Sequence, residues 1–222
     1  MGTDIKPIVK KIDDNVQGLK SFHESLVQNA SEKEQDILLQ FPTVYIHNWK
    51  NTGDYEVYIG ESNNIIQRTK QHYDAGIDES KWQHQLFLQD ASLYIIGHEH
   101  FNKSMTLDIE NRLMLYMMSV ERVRKIHNLR GNPQSRYYPD SEMDDIFQMI
   151  WKKLRKDNKE LFPSESAIKD SAVFKASPLH KLTEEQEAVK LKIIQRVFEA
   201  LQTGKRGQLI FIEGEAGTGK TV

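Results

Sequence analysis

The sequence predicts an α/β (α+β) chain built around a small domain with a largely antiparallel three-stranded sheet flanked by helices. Two observations carry that expectation. Residues 43–47 (Thr-Val-Tyr-Ile-His) and 55–59 (Tyr-Glu-Val-Tyr-Ile) are runs of β-branched and aromatic residues, and Asn51-Thr52-Gly53-Asp54 between them has turn composition, so the three together read as a hairpin. Beyond them, segments of helical and strand periodicity follow in the order β-β-α-(α)-β-α. The chain has 222 residues, room for one large domain or two small ones at roughly 100–200 residues each.

Each element has a local reason. Ile5, Ile8, Val9, Ile12, Val16 and Leu19 recur at helical spacing, and a second short helix over 32–39 is stopped by Pro42, so residues 1–40 read as a helical arm. Gly60 closes the second hairpin strand. Ser62 is placed to cap a helix carrying Ile65, Ile66, Thr69 and Tyr73. A further helix is expected over 81–89 and a third strand over 92–96. Thr106 is placed to cap a longer helix with Leu107, Leu113, Met114, Met117 and Val120 on its apolar face. After Asn132-Pro133 and Tyr137-Tyr138 a helix is expected over 143–154. Pro163, Pro178 and several serines mark 157–181 as a linker. A helix over 183–201 and a buried strand over 209–213 complete the chain. The expected organisation is therefore an arm at 1–40, a domain at 41–156, a linker at 157–181 and a further segment at 182–222.

Composition excludes several classes. With 30 Lys+Arg against 32 Asp+Glu the net charge is −2, which excludes a uniformly basic nucleic-acid coat but not a local basic groove. Such a run exists: Arg112, Arg122, Arg124, Lys125, Arg130 and Arg136 stand against Glu121 alone, with two tyrosines following that are suited to stacking on bases. The absence of cysteine excludes disulfides, zinc ribbons and thiol nucleophiles. The histidines show no His-Glu-x-x-His spacing, so no structural zinc is expected. No apolar run approaches about 18 residues and no signal peptide opens the chain. The expectation is a soluble cytoplasmic protein without a membrane partner.

The chemistry is concentrated in a few positions. Val44-Tyr45 in one strand and Tyr58-Ile59-Gly60 in the next are followed by Arg68 on the first helix and His72 one turn further on the same face. Glu110 lies in a helix after the third strand, and Asn132 about twenty residues later. A planar guanidinium matches phosphate oxygens, a single carboxylate suits Mg²⁺, and two tyrosines on paired strands can bracket an attacking water. This set, spanning about 43–135, resembles the GIY-YIG nuclease family. The resemblance implies a metal-dependent endonuclease acting on nucleic acid, DNA rather than RNA. Arg68 would bind phosphate, Glu110 would hold Mg²⁺ or Mn²⁺, one of Tyr45 and Tyr58 would act as general base, and Asn132 would be the family's asparagine. His72, with an ordinary pKa near 6.5, is the competing base on pH-matching grounds. Two positions depart from the family pattern. Thr43 replaces the first glycine, and Glu61 follows Tyr58-Ile59-Gly60, adding a carboxylate beside the expected phosphate. The alternative they support is a catalytically degenerate binding module that targets a fused ATPase to DNA.

Gly214-Glu-Ala-Gly217-Thr-Gly219-Lys220-Thr221 fits a P-loop in full and follows the expected strand over 209–213. Its backbone N–H groups would cradle phosphates, with Lys220 on the β/γ oxygens and Thr221 on Mg²⁺. Leu182-Thr183-Glu184-Glu185-Gln186 resembles the adenine-reading box of superfamily-one helicases. The implied whole is a nuclease–ATPase fusion, of which this chain would be the N-terminal part, with ATP bound only in the longer protein.

Overall fold

In the computed structural model, which describes residues 5–128 and 140–175 and the single positions Val189, Lys192, Ile193, Arg196 and Phe211, the hairpin is the centre of the sheet. Strands β2 (Thr43–Asn51) and β3 (Asp54–Ser62) pair from Thr43↔Ser62 to Asn51↔Asp54, leaving Thr52 and Gly53 as a two-residue turn. Both take positive φ, 54° and 95°. That is the turn whose twist matches the twist of the strands it joins.

The α+β class stands, with two strands more than expected. Among the described residues one five-stranded sheet runs in the order β1-β4-β2-β3-β5. Here β1 is Ile8–Asp13, β4 is Ser92–Gly97 and β5 is Val123–Ile126. All pairings are antiparallel except β5 with β3. The expected helical arm is therefore corrected: its first part is a strand. Ile8, Val9 and Ile12 are β-branched, and the open edge of β4 offers a ladder from Ile8↔Gly97 to Asp13↔Ser92. Helical spacing over so few residues coincides with strand alternation, and the ladder decides. Asn15 then caps α1 (Val16–Asn29), accepting from Gly18 N–H at 2.8 Å. α2 (Glu32–Leu39) lies where expected, capped by Ser31.

Other caps shift by a few residues. α3 (Ile65–Ala75) is capped by Asn64 rather than Ser62, whose Oγ instead accepts from Asn64 N–H. α5 (Lys103–Met118) is capped by Asn102 rather than Thr106, which sits inside the helix with its hydroxyl donating to Asn102 and Lys103 carbonyls. The expected helix over 81–89 is a 3₁₀ turn, Trp82–His84, followed by α4 (Gln85–Leu88).

Helices cover both faces of the sheet. Leu19, Phe22, Leu26, Leu38, Ile65 and Tyr73 from α1, α2 and α3 pack on Tyr45, Trp49, Leu93 and Ile95. On the other face lies α6 (Asp140–Asp157), whose Phe147 and Trp151 join Tyr116 of α5 in edge-to-face contacts at 4.8 and 4.9 Å. Tyr94 of β4 meets Phe162, and Trp151 Nε1–H donates to Pro163 O at 3.0 Å. Leu161 and Phe162 are fully buried, so the first part of the expected linker is packed structure. Burial of each large apolar side chain there contributes about 1.5–3 kcal/mol, which outweighs the turn-forming tendency of Pro163 and its serines.

Contacts divide the chain into two compact units, Met1–Ile168 and Lys169–Val222, with α7 (Glu165–Asp170) spanning the division and α8 (Ala172–Lys175) in the second. Val189, Lys192, Ile193 and Arg196 are helical, within the helix expected over 183–201. Phe211, the one described residue of the strand expected over 209–213, lies outside any strand and is 83% exposed. A strand needs a neighbour, and among the described residues none pairs with it. The rest of that segment lies outside the described residues, including Gln186, Gly214, Gly217, Gly219, Lys220 and Thr221. Among the described residues no helix is long and apolar enough to cross a membrane.

The turn gives a direct test. Gly53→Ala places a β-carbon on a left-handed backbone and should cost about 1–2 kcal/mol. Thr52→Asn, which suits positive φ, should raise stability. Urea denaturation of both variants checks this, and unchanged midpoints would show that the turn does not hold this geometry.

Candidate active site

Alternation along β2 sends Tyr45, His47 and Trp49 to one face of the sheet, and the register places them opposite Gly60, Tyr58 and Glu56 of β3. Tyr45 is fully buried and its ring crosses directly over Gly60. A β-carbon at position 60 would lie 2.5 Å from the Tyr45 hydroxyl oxygen and 3.0 Å from Tyr58 Cε1. The glycine of the second motif is thus a steric requirement of the tyrosine in the first. The missing first glycine has no such consequence: Thr43 is buried, with its hydroxyl donating to Ser62 O at 3.3 Å.

α3 lies over this face and delivers Arg68 and His72. The Tyr45 hydroxyl lies 3.1 Å from His72 Nε2, and Arg68 Nε–H donates to the Tyr45 oxygen at 3.3 Å. With Arg68 donating, the Tyr45 proton points to His72, which accepts it as a neutral imidazole. The electrostatics agree. Burial first, then His47 and Arg68, lower the pKa of His72 to about 2. Burial and then Tyr58 raise that of Tyr45. Burial is the largest single influence on Arg68 and opposes its charge, but the hydrogen bonds and charges of Tyr45 and Tyr58 together outweigh it and its pKa is raised. The result is a neutral phenol and a neutral imidazole holding one fixed cation.

Arg68 lines a cavity of about 340 Å³ together with Tyr45, Tyr58, Glu61, Glu110 and Asn128. Four side chains taken from the sequence therefore converge on one concavity, and His72 stands behind Tyr45. Glu110 comes from α5. Asn128 follows β5 and grips the β3 edge: its Oδ1 accepts from Ile59 N–H at 3.2 Å and its Nδ2 donates to Ile59 O. The same Nδ2 lies 3.5 Å from Glu110 Oε1. Asn132 lies outside the described residues; among the described residues Asn128 lines the cavity beside Glu110. Both stand about twenty residues after Glu110, so spacing does not separate them. The strand Val123–Ile126, which sequence reading missed, carries Asn128 to the edge of β3. Glu61 lines the cavity and is paired with Lys103, which offsets its charge.

Of the four described residues of the expected basic run, two are held in ion pairs. Arg112 pairs with Asp144 at 2.5 Å and lies over the Phe147 ring, joining α5 to α6. Arg122 pairs with Glu160 at 2.9 Å and Asp54 at 3.4 Å. Carboxylates from α6, the hairpin and residue 160 thus offset the charge of these two. Arg124 and Lys125 are exposed on β5, Arg124 donating to Thr52 Oγ1 at 3.3 Å. Arg130 and Arg136 lie outside the described residues.

Among the described residues no group of three or more His, Cys, Asp or Glu side chains is placed to enclose a metal. His98 and His100 are engaged, with the Ile5 carbonyl at 3.2 Å from His98 Nε2 and with Glu142 respectively. No family model, curated protein or solved structure matches the chain.

Two outcomes follow. Gly60→Ala should destabilise by about 1–3 kcal/mol through overpacking. In a double-mutant cycle with Tyr45→Phe the two changes should be coupled rather than additive; additivity would mean that the ring does not rest on Gly60. The second concerns pH. The unfolded chain takes a proton on His72 near pH 6.5 that the folded chain refuses until about pH 2. The stability His72 contributes is whole above pH 6.5 and falls as pH drops toward 2. His98 and His127 are lowered too and act with the same sign. Denaturation midpoints between about pH 7 and 5, above the range where carboxylates titrate, should therefore decline with acid, and His72→Gln should flatten that decline.

Proposed function

We propose that the cavity is the active site of a metal-dependent endonuclease that hydrolyses phosphodiester bonds of DNA. One observation carries the reading: Tyr45, Tyr58, Arg68 and Glu110, spread over 65 residues of sequence (110 − 45), line one cavity at the edge of β3. Structural needs alone do not bring a guanidinium, a carboxylate and two phenols to one concave surface.

The chain's own groups divide the work. Arg68 binds the scissile phosphate, its guanidinium oriented by Tyr45 through Nε and by Gln71 through Nη1. Tyr45 is a positioning residue. It is fully buried, its proton is committed to His72, and its raised pKa keeps it a phenol. His72, neutral and shielded behind Tyr45, holds that phenol in place, so the competing reading of His72 as the base gives way. Tyr58 is the half-buried phenol on the cavity wall; as the phenolate, with its own proton first released to solvent, it would orient the attacking water and take that water's proton. Asn128 sets the orientation of Glu110.

The donor set fits Mg²⁺ or Mn²⁺. Glu110 offers one oxygen ligand in an open cavity, and Mg²⁺ keeps most of its waters and takes other ligands from substrate phosphate. Bound there, the ion would offset phosphate charge and assist the leaving oxygen. The second reading, a binding module without cleavage, is favoured by Glu61, whose buried Oε2 lacks a hydrogen-bond partner at the same cavity.

Plasmid nicking in Mg²⁺ or Mn²⁺ tests the assignment. Arg68→Ala and Glu110→Ala should each lower the rate about 10²–10³-fold, the usual consequence of removing one preorganised charge from a transition state. DNA binding, measured by anisotropy, should change far less than the rate, because the charge these groups offset develops in the transition state. Near wild-type nicking by either variant would remove the nuclease reading, and no nicking by wild type would favour the binding module.

A further inference from the structure

A second cavity, of about 650 Å³, opens on the same face of the sheet. The register makes the two neighbours. Tyr58 of the first cavity and Glu56 of the second are alternate residues of β3, and Glu56 stands opposite Lys125 of β5. Their shared wall is aromatic: Tyr58 and Trp82 stack with ring centroids 4.4 Å apart and an interplanar angle of 16°. Trp82 is only partly buried, and it is nearly parallel to Trp49 as well, at 5.8 Å and 2°.

The polar lining does not suit a phosphate. Glu56 and Glu79 face Lys125 and Lys81, and Lys81 is already paired with Asp78 at 3.5 Å. Glu56 is satisfied, accepting from Asn51 at 2.8 Å and His127 at 2.7 Å. Its pKa is lowered because those hydrogen bonds outweigh burial. Burial outweighs Glu56 at His127, whose pKa is also lowered, so the two form a hydrogen bond more than an ion pair. What remains is a nearly neutral hollow with a flat aromatic wall and amide groups, Gln83 and Gln85, around it. Its volume falls within the roughly 300–1,000 Å³ of cavities that hold small molecules.

We infer that this cavity receives one unpaired nucleobase of the substrate strand, stacked on Trp82, while the adjoining phosphate lies on Arg68. This rests on the nuclease reading and names its substrate class: DNA with an unstacked nucleotide next to the cut. A base inside a duplex is covered on both faces, so it reaches such a wall only when extruded or already unpaired. Stacking tolerates any base, and the amide groups supply edge contacts.

Oligonucleotides carrying 2-aminopurine at successive positions, in a bubble and in a fully paired duplex, test this with the full chain in EDTA. Fluorescence should change at a single position of the bubble and at none of the duplex. Trp82→Leu should abolish that signal and weaken bubble binding about tenfold, the scale of one lost stacked base, while Trp82→Phe retains most of both. Because Trp82 also touches the core, the surface pair Gln85→Ala and Lys125→Ala provides a second arm that should weaken the bubble selectively. Equal response at every position, or bubble binding unchanged in the Trp82→Leu and surface variants, overturns the base pocket. Nicking in Mg²⁺ is scored separately. A position-specific signal without nicking keeps the pocket and removes the nuclease; nicking without the signal does the reverse.

Discussion

One buried carboxyl group ties the elements of the site together. Asp14 sits at the corner between β1 and α1, and its two oxygens accept from His47 Nδ1–H of β2 at 2.6 Å and from the Tyr73 hydroxyl of α3 at 3.0 Å. Its own N–H donates to Ala91 O just before β4, at 2.9 Å. Asp14 and His47 are both essentially inaccessible to solvent. A buried pair is weak support for stability in itself, yet removing one partner typically costs about 3–5 kcal/mol, because the other is left unpaired. So the corner, the central strand and α3 are held in one geometry. Tyr73 sets the rotation of α3, and that rotation puts Thr69 and His72 inward and Arg68 at the rim of the first cavity. The segment that reads as an accessory arm is therefore part of the site's frame.

Within that frame the side chains are ordered by exclusion. Gly60 gives Tyr45 its room, Tyr45 fills it, and a filled, dry interior holds both His72 and Tyr45 uncharged. At the cavity surface stand the charged groups Arg68, Glu110 and the Glu61–Lys103 pair. Fixed dipoles and charges in a poorly solvated wall need no rearrangement when a charged ligand arrives, which is the condition under which electrostatic stabilisation is strongest. The Glu61–Lys103 pair joins a mostly covered carboxylate to an exposed ammonium. Its consequence is local: it offsets a carboxylate that would otherwise oppose an anion near Arg68.

Legibility in the sequence followed the strength of the local signal. The hairpin was readable because an alternating apolar pattern and a turn requiring positive φ point to the same structure. Tyr45, Tyr58, Arg68 and Glu110 were singled out by their spacing along these elements, and all four line one cavity. β1 was not, since Ile8, Val9 and Ile12 suit a helix and a strand equally until β4 supplies a ladder. β5 was not, because Val-Arg-Lys-Ile shows no apolar alternation: it is an edge strand, with Arg124 and Lys125 exposed and each strand neighbour only partly covered. Missing β5 left the position of Asn128 unread. The partners that neutralise Arg112 and Arg122, at Asp144 and Glu160, lie 32 and 38 residues further along the chain, beyond any local window.

The same contrast separates the two cavities. The first is built mainly from the central hairpin and from helices locked to it by buried contacts, so its geometry follows from the core. The second takes its walls from the 3₁₀ turn at Trp82–His84, from α4 and from an edge strand of four residues. Such short elements carry few buried contacts of their own, and the stability of a segment falls with the number of such contacts. Trp82 is the exception, since its stacking on Tyr58 and Trp49 anchors an otherwise irregular segment to the sheet. An aromatic that belongs to the rigid face on one side and borders an adaptable hollow on the other joins the two.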